Sequence, residues 1–117
     1  MKGGQTIQRV ASPTAILVAL PDDLAAVCTE ALADGGLKVL KVGHVAAACE
    51  RIPVVMPQLV VTMSSLRPED ADLLTDRCVA VGAEVIKLAR DQDQRALGVL
   101  LRDAANMALI RALRRGG

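Results

Sequence analysis

Four short apolar runs, each followed by a longer stretch with helical spacing, constrain this chain more than any other feature. The first run, residues 14–20 (TAILVAL), is continuous and rich in branched side chains, as in a strand covered on both faces. Pro21, Asp22 and Asp23 then open a helix that Gly35-Gly36 closes, and Leu24, Val27, Cys28, Ala31 and Leu32 form its apolar stripe. Residues 37–42 (LKVLKV) alternate apolar side chains with lysine, which suits a sheet edge. A short helix over 44–52 follows, then a second central-looking strand over 58–63 (QLVVTM). Pro68 and acidic residues start a helix over 67–82, residues 83–89 read as a fourth strand, and a last helix runs from about Asp91 to Arg114.

Strands that alternate with helices build a parallel sheet with helices on both faces. The expected fold is a flavodoxin-like three-layer α/β/α sandwich of four or five strands, in the order 2-1-3-4, with a long C-terminal helix. Residues 14–117 make its single domain, and residues 1–13 are expected to be a flexible tail. In such sheets ligands bind beyond the carboxyl ends of the central strands, here around Leu20–Asp23 and Met63–Leu66.

Composition removes several functions. The chain contains no Phe, Tyr or Trp, so it lacks the stacking surfaces used on single-stranded nucleic acid and flat cofactors. Its net charge of +1 provides no basic field, and Arg111, Arg114 and Arg115 read as cations suited to a helix C-terminus, so nucleic acid is not an expected partner. No run has the length of a membrane span, and the first residues lack the apolar block of a signal peptide, which points to the cytoplasm. Cys28, Cys49 and Cys78 are widely spaced and read as core residues; with the lone His44 they make no metal set. No Gly-rich loop follows the first strand, and no Ser-His-Asp set is visible. Neither enzyme activity nor a cofactor is expected.

From residue 15 to 63 the chain resembles the receiver domain of bacterial response regulators. The resemblance lies in Leu32, Gly36-Leu37-Lys38-Val39, Ala48 and Pro57-Gln58-Leu59-Val60-Val61-Thr62-Met63. It implies a signalling module, and it also marks what is missing. The family's acidic pair falls on Ala19 and Leu20, its phosphoacceptor aspartate on Met63 and its switch hydroxyl on Ala89. Phosphoryl transfer of that kind needs a carboxylate nucleophile beside a cation held by oxygen ligands, and a thioether supplies neither. A second register would set Gly82–Lys87 on the family's last strand, with Lys87 as its lysine. It leaves the phosphorylation site equally incomplete.

Two functions of different kinds remain. One is a phosphorylation-independent, receiver-like interaction domain with a protein partner, self-associating as a homodimer through the last helix. Leu97, Leu100, Leu101, Met107, Ile110 and Leu113 make the apolar stripe of that helix broader than one sheet face requires. The other is a sensor of a nucleotide or a corrinoid-like ligand, using Asp22, Asp23, Thr62, Ser64 and Ser65 at the rim of the sheet. The same aspartates also suit the dipole of a first helical turn, and the same hydroxyls could cap the next helix.

Overall fold

The computed structural model describes residues 13–116; the expected N-terminal tail, apart from Pro13, lies outside the described residues. The elements are β1 (Thr14–Val18), α1 (Asp22–Asp34), β2 (Lys38–Val42), α2 (Val45–Val55), β3 (Leu59–Met63), α3 (Pro68–Val81), β4 (Glu84–Leu88) and α4 (Gln94–Gly116). The four strands form one parallel sheet in the order β2-β1-β3-β4. No fifth strand is present among the described residues.

Strand burial follows position in the sheet. Every residue of central β3 is buried, and so is all of β1 after Thr14. Edge strands β2 and β4 instead expose Lys38, Lys41, Glu84 and Lys87. A charged side chain on an open edge discourages pairing with another chain's strand.

Alternation along the strands sorts the core into two layers. Ala15, Leu17, Leu59, Val61 and Met63 face α1 and α4, joining Leu24, Cys28, Leu32, Leu97 and Leu101. Ile16, Val18 and Val60 face α2 and α3, with Ile52, Leu74 and Cys78. This puts α1 on one face and α2 and α3 on the other, as right-handed crossovers require.

Three local features depart from expectation. The first strand stops at Val18 rather than Leu20, because Ala19 turns into the left-handed region (φ 56°) while its N–H still reaches the Val42 carbonyl at 3.0 Å. Helix α2 does not stop before Pro53 but continues to Val55. In the last turn the ring removes a single donor, and the next turn closes through the Met56 N–H on the Ile52 carbonyl at 2.9 Å. The last helix starts at Gln94, after a short connection over 89–93 in which Gln92 Oε1 accepts from the Ala89 N–H at 3.3 Å.

The end of α1 meets α4 closely. At Gly35 a side chain would run into the Ala105 methyl, and Gly36 (φ 97°) turns the chain toward β2 beneath Leu109. Arg102 on α4 and Asp34 on α1 pair across this junction at 3.5 Å, but both are more than half exposed, so the pair adds little. Close approach of the two backbones places the long last helix.

Candidate functional site

The strand ends carrying the receiver resemblance converge at the top of the sheet. Met63 closes β3 and stands opposite Leu88, the last residue of β4. It is 6% exposed, in the same packed layer as Leu17, Leu24 and Leu88. Leu20 packs against that layer from the β1 side, and Ala19 and Ala89 bring only methyl groups to the rim. At these four positions the chain has a methionine, a leucine and two alanines, none of which can hold a hard cation. Among the described residues no group of His, Cys, Asp and Glu side chains could bind a metal ion.

Thr62 does not belong to the accessible rim, contrary to expectation. It is 1% exposed, and its Oγ1 donates to the Val18 carbonyl at 3.1 Å. The β1–β3 pairing ends at Leu17 and Val61, so the hydroxyl bridges the strands where their ladder stops. The bond satisfies a polar group that would be costly to bury alone.

The other rim residues are exposed but separated by use. Asp22 and Asp23 lie in the first turn of α1, and neither they nor Pro21 makes a side-chain cap bond. Their carboxylates complement the dipole of that turn. Ser64 and Ser65 are exposed in the β3–α3 loop. They do not cap α3, whose N-cap is Arg67 and which also lacks a side-chain cap bond. Arg67 instead reaches Asp70 at 3.6 Å.

A cleft of about 240 Å³ opens at the same end of the sheet, between β1, β2 and the start of α1. Leu17, Leu20, Asp22, Lys41 and Gly43 line it, and neither serine does. It therefore lies to one side of the β1–β3 boundary, where the strand order reverses and ligands of such sheets usually sit. Lys41 escaped sequence reasoning because it reads as an edge-strand lysine. Its place in the cleft with Asp22 depends on the β1–β2 pairing.

Cys28 and Cys78 are buried in the core, and Cys49 is partly buried against it. Burial pushes the thiols of Cys28 and Cys78 up from 9.0 to about 11, with nearby Cys49 adding to the shift at Cys78. Both are therefore protonated at neutral pH, which makes them poor nucleophiles and poor metal ligands.

The apolar stripe of α4 divides in two. Leu97 and Leu101 were expected at an interface, but both are fully buried within the chain, with Ala105 and Ala108. Leu100, Met107, Ile110 and Leu113 point outward and are 45–73% exposed, and Val99 joins them at 57%. One open groove of about 310 Å³ runs between α4 and edge strand β4, with Leu100, Met107 and Ile86 among its walls. Arg111 crosses its end and donates to Glu84 Oε1 at 3.2 Å.

No helix among the described residues is long and apolar enough to cross a membrane. No family model and no curated protein matches the chain. Its fold is similar to a crystal structure of the signal receiver domain of a protein assigned as a LuxO repressor, from Vibrio parahaemolyticus. The TM-score is 0.60 at 16% identity, covering 91% of this chain and 99% of that one. At that identity the likeness is one of fold, and the chain has the flavodoxin-like, receiver-type architecture.

Proposed function

We propose that this chain is a receiver-like interaction domain of bacterial signalling or regulation that works without accepting a phosphoryl group. In this reading it is a cytoplasmic, non-catalytic module that self-associates through the outer face of α4. The observation that carries it is the division of α4, which buries Leu97 and Leu101 internally yet presents Leu100, Met107, Ile110 and Leu113 to solvent. A helix with one apolar face satisfied and a second left open fits a partner better than it fits solvent.

The top of the sheet supports the other half of the reading. On the receiver resemblance Ala19 and Leu20 take the positions of the acidic pair, Met63 that of the nucleophile and Ala89 that of the switch hydroxyl, and Met63 and Leu20 take part in core packing. A degenerate site of this kind is expected to be chemically silent. Incubation with acetyl phosphate and Mg²⁺ should leave the intact mass unchanged, and a stoichiometric phosphoryl adduct would contradict the reading. Light scattering over a range of concentrations tests the other part. A concentration-dependent dimer is expected, and a strict monomer excludes self-association.

Sensing of a small ligand is a second reading, favoured only by the cleft where Asp22 and Lys41 bring opposite charges beside Leu17 and Leu20. Of the rim residues that sequence pattern suggested for it, only Asp22 lines this cleft, and Thr62 is buried. A thermal-shift panel of nucleotides, a corrinoid and divalent cations is expected to be flat. A saturable rise with one of them, lost in Asp22→Ala, favours the sensor.

A further inference from the structure

The outward face of α4 is complementary to itself. Asp103 stands one turn before Met107 and Arg111 one turn after it, and all three border the groove beside β4. Met107 and Leu100 supply the apolar centre, 54% and 45% exposed. Among the described residues the Asp103 carboxylate has no ion pair, whereas Arg111 commits one guanidinium nitrogen to Glu84 and retains further donors.

We propose that a second copy of this chain covers this face, its α4 antiparallel to the first, with the two-fold axis passing at Met107. The proposal rests on the self-association reading and gives that contact a geometry. A two-fold contact uses the same patch on both copies, so residues equally spaced on either side of the axis face each other. Asp103 of each copy then meets Arg111 of the other, Met107 meets Met107, and Leu100 lies along the aliphatic stem of Arg114. Charge decides the orientation. A parallel pairing in the same register sets Asp103 against Asp103 and Arg111 against Arg111, whereas the antiparallel one converts both repulsions into attractions. The neighbouring sheet edge does not compete, because Glu84 and Lys87 guard β4 against strand addition.

Two single charge reversals and their mixture test this. Asp103→Arg places arginine against Arg111 at both ends of its own dimer, and Arg111→Glu places glutamate against Asp103. Each variant alone should associate about tenfold more weakly than the parent, or less. An equimolar mixture restores both attractions in the mixed pair, so it should dimerise at concentrations where each variant alone is largely monomeric. Far-UV circular dichroism checks that each variant keeps its helices. Independently, Met107→Cys should give a disulfide-linked dimer under oxidised glutathione, whereas Val79→Cys, on the exposed far side of α3, should give no more than the parent.

A parent chain that stays monomeric at every concentration overturns both the self-association reading and this geometry. When the parent is a dimer, three results overturn the antiparallel geometry alone. These are single variants that dimerise like the parent, a mixture that stays monomeric, or a Met107→Cys variant that forms no cross-link.

Discussion

Leu101→Ala is expected to destabilise the fold by about 3 kcal/mol, within the range seen when a fully buried leucine is truncated in a core that relaxes only partly. Leu101 is 0% exposed and lies with Leu97, Ala105 and Ala108 in the layer that α4 shares with α1 and the sheet. The chain contains no aromatic residues, so its core consists of aliphatic side chains, methionine and cysteine, and each leucine accounts for a larger share of the buried area. The lack of tryptophan also means that unfolding must be followed by far-UV circular dichroism rather than fluorescence. In urea the midpoint should fall by roughly 2 M with little change in slope. Leu100→Ala, one residue away and outward-facing, should change the stability of dilute protein by no more than about 0.5 kcal/mol. Its effect should instead appear in association. Equal losses at 100 and 101 would mean that the helix is rotated from the orientation described.

Gly35→Val has a comparable expected effect for a different reason. Gly35 has an ordinary backbone conformation (φ −80°, ψ 0°), so a side chain costs nothing there through dihedral strain. The obstacle is the Ala105 methyl, which is fixed to the α4 backbone and cannot rotate away. Accommodating valine requires α4 to lift from α1, with a loss of about 3 kcal/mol. Ala105→Gly should recover part of that loss, and the coupling between the two sites measures the contact. Gly98→Ala should have the opposite sign. A methyl there meets nothing within 4 Å, so it should stabilise α4 by about 0.5–1 kcal/mol through helix propensity alone. If Gly35→Val is tolerated while α1 and α4 keep their packing, close backbone approach is not what positions the last helix.

Much of this fold was legible in the residues themselves. The unbroken apolar runs at β1 and β3 and the lysine-bearing run at β2 assign centre and edge before any contact is known, because a doubly covered strand has no solvent face. Gly35-Gly36 and Gly82 mark the ends of α1 and α3, and Gly36 and Gly82 adopt the left-handed conformations that a side chain would resist. That position 63 offers no carboxylate was equally visible, since no packing can turn a thioether into an acid.

Other positions could not be read this way. Ala19 belonged to an apolar run, yet it leaves the strand at φ 56° because the chain must turn into α1. Thr62 looked like a rim hydroxyl, but it faces inward to a carbonyl forty-four residues earlier. Lys41 became a cleft residue only through the pairing of β1 with β2.

The last helix divides the two kinds of information most clearly. Sequence by itself determined that residues near 94–114 form a helix with more apolar surface than one contact needs, because that follows from composition and a 3.6-residue period. It also determined the alternation that makes a parallel sheet and that positions 19, 20, 63 and 89 carry no carboxylate. Only the tertiary structure decided which leucines close the core and which remain outside. That choice depends on the rotation of α4 about its axis, which is set by the close approach of α1 and α4 at Gly35 and Ala105. Helical periodicity specifies the angle between side chains but not its origin, and the origin is a long-range contact.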